Sequence, residues 1–262
     1  MNSFNFDSFN DNLNEAKIFF DNNGYIIINN ILNHDLINNL NQSVQVKGDR
    51  VQDYWKQNEY VKEVASNKDI FNILQNLYND TPLPFQTLNF TKGTKQQEHV
   101  DLIHFSPSTD NLELMCGVWY AFEDITPEKG PLIFYPKSHK EKIILDLSNI
   151  GASNYSEYEI YMKNLATSKY TRTSALIPKG SCIIWKANLI HGGHPDCNKN
   201  TTRLSMVTHY FFKSSKYWWT PLISTPPKKK LLKNKWKNYF ISIPQKKILR
   251  NNILELSKSI MN

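Results

Sequence analysis

The chain has 262 residues and a formal net charge of +7, with 40% hydrophobic and 21% charged residues. That apolar content is enough to fold, and the length suits a single domain with a full core. No apolar run reaches the ~18 residues of a membrane-spanning helix, so no membrane span is expected.

The first fourteen residues hold neither a basic nor an apolar stretch, and no secretory leader is expected. Residues 9–22 read as a helix running into the Asn22-Asn23-Gly24 turn. Tyr25 to Ile28 is aromatic and β-branched, the mark of a strand. His34 to Ser43 predicts a short helix with Leu36, Ile37 and Leu40 on one face. In Asp69 to Tyr78 the apolar residues Ile70, Ile73, Leu74 and Leu77 recur at helical spacing, and Thr81-Pro82-Leu83-Pro84 then breaks the helix. Residues 1–85 thus read as a mostly helical flank.

After Phe85 the texture changes to short apolar runs between Gly and Pro. The runs are Gln86–Phe90, His99–Phe105, Leu114–Phe122, Leu132–Tyr135, Ser174–Ile177, Ser181–Lys186 and Arg203–Phe212. Many short strands with turns between them predict a β-sandwich or barrel over 86–212. One long interruption, 143–172, includes the helix-permissive stretch Asn154–Lys169. It reads as a lid or insertion and, by position, as the element that sets specificity.

The last fifth of the chain carries the charge. From Lys213 onward the balance is +11, and residues 1–212 balance at −4. Trp218, Trp219, Trp236 and Tyr239 interleave with lysines there, as a single-strand nucleic-acid platform requires. The preferred reading of 213–262 is a C-terminal helix with its apolar side on the barrel and its lysines in water. A binder of anionic partners through this tail is the rival. Cys116, Cys182 and Cys197 form no CxxC pair and no disulfide framework, and reduced thiols in the cytoplasm are expected. Arginine is scarce, only Arg50, Arg172, Arg203 and Arg250 against 27 lysines.

The histidines carry the chemistry. His99-Val100-Asp101 places an imidazole and a carboxylate at i and i+2, on one face if the segment is a strand. A third ligand from a distant strand completes a 2-His-1-carboxylate triad suited to Fe(II). His191 and His194 both follow the Ser181–Trp185 strand, and the Gly-Gly after His191 leaves room for small molecules. Arg203 follows His191 by twelve residues, with Ser205 on the same face. A guanidinium there forks onto a carboxylate. His104, an odd number of residues from His99, is expected to point away from the metal. His34, His139, Trp119 and Phe105 are read as structural, and His209 shares the parity of Arg203 without an assigned role.

These motifs resemble the phytanoyl-CoA dioxygenase (PhyH) family. The resemblance lies in Gln86–Phe90, Gly93–Gln97, His99–Phe105, Met115–Ile125, Gly130-Pro131-Leu132 with Tyr135–Lys140, His191-Gly192-Gly193 through Arg203-Leu204-Ser205, and Thr208–Phe211. Lys137 replaces a glycine that the family often carries. The resemblance covers roughly 10–215. It implies an α+β fold with a mainly β core, a double-stranded β-helix (jelly roll, cupin-like) with flanking N-terminal and C-terminal helices, as one domain over 1–262. It implies His99, Asp101 and His191 as iron ligands, the His191-to-Arg203 spacing favouring His191 over His194. Arg203 falls to the distal carboxylate of 2-oxoglutarate, with Ser205 and Asn89 as further co-substrate candidates. The implied cofactors are Fe(II), 2-oxoglutarate and O2.

The implied activity is a dioxygenase that hydroxylates an unactivated C–H of a small metabolite, releasing succinate and CO2. Related halogenases lack the carboxylate that Asp101 supplies here, which favours hydroxylation. The alternative from another class is a cupin-like metal protein without oxygenase activity. Arg203 and the paired strand motifs argue against it. Nothing in the sequence selects the substrate or sets an oligomeric state.

Overall fold

A computed structural model describes residues 3–44, 48–107, 112–142, 147–198, 200–215 and 218–219. Five α-helices are described: α1 (Leu13–Asn23), α2 (His34–Ser43), α3 (Glu59–Ala65), α4 (Lys68–Tyr78) and α5 (Tyr155–Lys169). The chain is rich in asparagine, and the caps show one use of it. The side chains of Asn33, Asn58, Asn67 and Asn154 each accept a backbone N–H at the start of α2, α3, α4 and α5. Each cap satisfies a donor that the first helical turn leaves unpaired. At α1 the work is done at the other end, where Gly24 takes φ 78° and turns the chain into the next strand.

Twelve strands follow in chain order: β1 (Phe4–Asn5), β2 (Tyr25–Asn29), β3 (Arg50–Gln52), β4 (Pro82–Phe90), β5 (Ser106–Pro107), β6 (Met115–Ala121), β7 (Leu132–Phe134), β8 (Thr173–Ser174), β9 (Cys182–Lys186), β10 (His191–Gly193), β11 (Ser205–Phe212) and β12 (Trp218–Trp219). The large sheet runs β1-β2-β9-β6-β11-β4-β3, and a small one runs β10-β7-β8. β5 and β12 form a separate pair.

Strand alternation sorts the side chains into two layers. On one face of the large sheet, Ile26, Ile28, Val118, Tyr120, Ile184, Met206 and Tyr210 meet Phe20, Ile37, Val61 and the α4 residues Ile70, Ile73, Leu74 and Leu77 in one buried cluster. Each such side chain contributes about 1.5–3 kcal/mol by leaving water. On the other face, Ile27, Trp119, Ile183, Trp185 and Val207 meet Leu132 and Phe134 of the small sheet. Two sheets packed through one core make the double-stranded β-helix, and the site opens between them. A third cluster joins Phe85, Val100, Ile103 and Phe211 to Tyr158, Met162 and Ala166 of α5.

Several predicted boundaries move. The first helix begins at Leu13, after a 3-10 turn at Phe6–Ser8. The helix-breaking prolines belong to β4 itself, which runs from Pro82. β3 pairs only with Leu88 to Phe90, so among the described residues the Pro82–Gln86 half has no strand along that side, a place where proline is tolerated. Of Ser174–Ile177 only Ser174 belongs to β8; beyond it Ala175 N–H still donates to Leu132 O at 2.8 Å and Ile177 O accepts from Ile125 N–H at 3.0 Å. His99–Phe105 is not a strand. His99 makes a single bridge to His191 and the chain then turns through a 3-10 helix at Asp101–Ile103. The predicted C-terminal helix lies outside the described residues. No described helix is long and apolar enough to cross a membrane.

Candidate active site

His99 and His191 are brought together by backbone pairing. His99 N–H donates to His191 O at 2.9 Å, and His191 N–H donates back to His99 O at 3.0 Å. Two residues that exchange both bonds across an antiparallel bridge project side chains to the same side. Their rings accordingly stand 4.4 Å apart between centroids. The 3-10 turn then swings Asp101 back toward them, with Oδ1 3.6 Å from His191 Nε2 and 4.0 Å from His99 Nε2. One donor atom from each of the three lies within 4.8 Å of the others, and all three residues are buried.

The hydrogen bonds around this cluster set its chemistry. His99 Nδ1 bonds Gln97 O at 2.8 Å, and His191 Nδ1 bonds Leu189 O at 3.0 Å. A carbonyl can only accept, so each Nδ1 carries the proton and each Nε2 presents its lone pair. Asp101 Oδ2 accepts from Trp185 Nε1 at 2.8 Å, which leaves Oδ1 facing the imidazoles. Burial, with His191 beside it, depresses the His99 pKa to about 3, so the ring is neutral at pH 7. Burial pushes the Asp101 carboxyl up, but the imidazoles of His191, His209 and His99 outweigh it and hold it below the ordinary range. Two imidazoles with Nδ1 held by carbonyls and one carboxylate, all aimed at one point, fit a borderline divalent cation.

Arg203 stands on the same cavity wall. It is buried, with its guanidinium over the rings of Phe90 and Trp119 at 5.3 and 5.6 Å. Nη1 donates to Gly130 O at 3.0 Å, while Nε is buried without a partner. Burial lowers its pKa only to about 10, so the group is a cation. A buried cation with an orphan donor is costly unless an anion joins it. A carboxylate would satisfy both the charge and the donor.

The cavity has a volume of about 230 Å³ and holds His99, Asp101, His191 and Arg203 in its lining. Ser205 does not line it; its hydroxyl donates to Arg203 O at 3.3 Å. Asn89 does not line it either. Leu88 and Phe90 do, and alternation along β4 turns Asn89 to the opposite face, where it is buried. His194 stays outside the cluster, with Nδ1 against Asp196 O at 2.8 Å.

His104 corrects an expectation. The 3-10 turn breaks strand parity, and His104 lines the cavity with its ring 6.2 Å from that of His99. Its Nε2 meets the Tyr155 hydroxyl of α5 at 3.2 Å. Trp119 and Phe105, read as structural, also line the cavity. The Gly-Gly pair leaves no room for a ligand where its side chains would stand. A Cβ at Gly192 would meet Gln96 O at 2.8 Å, and one at Gly193 would meet Lys95 N at 2.8 Å. The crossing backbone brings the Gln96 amide to 3.2 Å from His99 Nε2.

Sequence reasoning missed Trp185, Gln96 and Gln86 and gave His209 no role. Gln86 Oε1 bonds His209 Nδ1 at 3.1 Å, and His209 Nε2 stands 3.6 Å from Asp101 Oδ2. The shared parity of His209, Ser205 and Arg203 was the available signal. A bulge adds what parity lacks. β4 and β11 shift register at His209/Tyr210, so Phe85 and Gln86 both face inward.

A double-stranded β-helix with this cluster and cation on one cavity wall has the plan of a metal-dependent oxygenase. The sequence profile of the phytanoyl-CoA dioxygenase (PhyH) family matches residues 45–203, and the chain belongs to that family. It is a 2-oxoglutarate-dependent non-haem iron dioxygenase by that membership. No curated protein matches the sequence.

Solved structures give the fold. EctD from S. alaskensis with bound Fe superposes with a TM-score of 0.63 at 16% identity, covering 81% of each chain. The non-heme alpha ketoglutarate dependent epimerase SnoN from nogalamycin biosynthesis gives 0.61 at 16% identity, covering 78% of this chain and 84% of SnoN. HygX from Streptomyces hygroscopicus with nickel and 2-oxoglutarate bound gives 0.59 at 15% identity, covering 76% and 86%.

Proposed function

We propose that the chain hydroxylates an unactivated C–H of a small metabolite. His99, Asp101 and His191 hold Fe(II), and Arg203 binds the distal carboxylate of 2-oxoglutarate. The observation that carries the reading is the pairing of a tautomer-fixed His-Asp-His cluster with a buried, under-bonded arginine in one cavity. Bound iron with 2-oxoglutarate and O2 supplies oxidative decarboxylation to succinate and CO2, and the oxidising power to remove a substrate hydrogen.

The protein supplies orientation. The carbonyls of Gln97 and Leu189 hold the proton of each neutral ring on Nδ1 and so aim Nε2 at the metal position, and Trp185 holds the far oxygen of Asp101. Phe90 and Trp119 sandwich Arg203 and keep water from the carboxylate it binds. Asp101 supports hydroxylation over halide transfer because a carboxylate fills the ligand position that a halide would need. EctD, SnoN and HygX, with Fe or with 2-oxoglutarate in their described forms, support the cofactor assignment. The neighbours also include an epimerase and a carbocyclase, so product analysis has to accompany the turnover assay.

Anaerobic addition of Fe(II) and 2-oxoglutarate is expected to give the weak visible charge-transfer band of the chelate. Admission of O2 with substrate is expected to give succinate and a product heavier by one oxygen atom. Asp101→Ala removes both signals, and wild-type turnover by that variant sinks the ligand assignment. Arg203→Ala weakens 2-oxoglutarate binding by about 3 kcal/mol, the scale of a broken buried pair. An unchanged co-substrate affinity counts against its role.

A further inference from the structure

The cavity holds a second arginine that the reading above leaves unused. Arg50 stands on β3, directly opposite Phe90 of β4, and Gln52 stands opposite Leu88. Facing pairs on one side of a pleated sheet share a surface, and all four side chains line the cavity. Arg50 is exposed at the mouth. Among the described residues it has no ion-pair partner.

The charge count of the cavity says what Arg50 is for. Among the described residues Asp101 is the only carboxylate in the lining, and it is committed to the metal. A divalent cation, Asp101, Arg203 and a dicarboxylate co-substrate together carry no net charge. Arg50 is the charge left over. His104, which also lines the cavity, cannot offset it, because an imidazole carries no negative charge in either protonation state. A cation at the mouth of a cleft with low-dielectric walls attracts an anion more strongly than it would in bulk water.

We propose that Arg50 binds a carboxylate of the primary substrate, so that the enzyme acts on small carboxylic acids. The apolar body of the acid lies along Leu88, Phe105 and Val207, and the Gln52 amide adds a donor beside the guanidinium. One guanidinium matches one carboxylate in charge and in its two-point geometry; a phosphate monoester dianion would keep an uncancelled charge. The inference rests on the oxygenase reading and extends it to substrate class.

The test separates the two. Protein with Fe(II) and 2-oxoglutarate is titrated anaerobically with hexanoate and 3-phenylpropionate, with their primary amides, and with hexyl phosphate. The perturbation of the visible band is read. The acids are expected to bind at least ~10-fold more tightly than the amides, the scale of a charged hydrogen bond. Arg50→Gln is expected to lower acid affinity ~10–100-fold and bring it level with the amide, and Arg50→Lys to keep part of the preference.

Absence of the band before any acid is added overturns the oxygenase reading and this inference with it. A band that the acids leave unmoved, or that the amides move at equal concentration, overturns the inference alone. Tighter binding of hexyl phosphate than of hexanoate overturns the choice of carboxylate. A fall in 2-oxoglutarate affinity in Arg50→Gln that matches the fall for the acids assigns Arg50 to the co-substrate and overturns it as well.

Discussion

Trp185 donates its indole N–H to Asp101 Oδ2, the oxygen turned away from His99 and His191. That bond leaves Oδ1 as the oxygen for the proposed metal. Trp185→Phe keeps the aromatic body and removes the donor. Partners of metal ligands typically account for about 10–100-fold in metal affinity, so an Fe(II) affinity lowered by that factor is expected, with the far-ultraviolet spectrum unchanged. Metal titration by competition with a chelator measures it, and an unaltered affinity would show that the bond does not position Asp101. At this scale the sequence singled out the residues of the cluster and was silent about their supports. His99, Asp101, His191 and Arg203 stand out by residue type and spacing. Trp185 is one of many buried aromatics, and nothing local marks which one donates to a carboxylate 84 positions away.

At the scale of elements, the place of that indole is prepared by β6. A Cβ on Gly117 would come 2.4 Å from Cζ2 of Trp185, a contact that real side chains do not make. The strands pair Gly117 with Trp185 directly, so the glycine is the hole and the indole is the knob. Gly117→Val is expected to destabilise the protein by about 1–3 kcal/mol, as overpacking does, and to weaken metal binding by displacing Trp185. Urea midpoints combined with metal titration check both. In a Trp185→Phe background the same substitution is expected to cost less, because the two sites share one contact. Equal costs in the two backgrounds would mean that Gly117 acts elsewhere. Element existence was largely legible in the sequence, since helical periodicity and strand runs are local signals. The segment His99–Phe105 was misread because its composition suits a strand, while the turn at Asp101–Ile103 is imposed by the bridge to His191 and by packing under α5.

At the scale of the whole molecule, the buried histidines set the response to acid. Burial lowers the pKa of His99, His104 and His139 in the folded chain. The unfolded chain binds a proton at each near pH 6.5, and the folded chain does so only at lower pH. Stability therefore falls as pH drops below about 6.5, by up to ~1.4 kcal/mol per pH unit for each fully titrating group. For His99 the loss continues to about pH 3. Asp101, held below its ordinary range, adds a loss of the same sign below about pH 4. Urea midpoints of the metal-free protein are expected to fall steadily between about pH 7.5 and 5.5. A flat profile would mean that these rings are not neutral in the fold.

The sequence by itself determined the class of this protein. Ligand types, their order along the chain and the strand texture are all written locally, and in a chain that uses lysine almost everywhere, an arginine at position 203 is conspicuous. It also separated a basic tail from a slightly acidic body. Only the tertiary structure decided which residues share the cavity. It turned His104 inward, set Asn89 on the far face, packed backbone against Gly192 and Gly193, and placed Arg50 on the wall that Arg203 occupies. The physical reason is register. Which side chains face each other depends on pairings between residues far apart in sequence, and a single bridge, bulge or 3-10 turn shifts the alternation that sequence parity assumes.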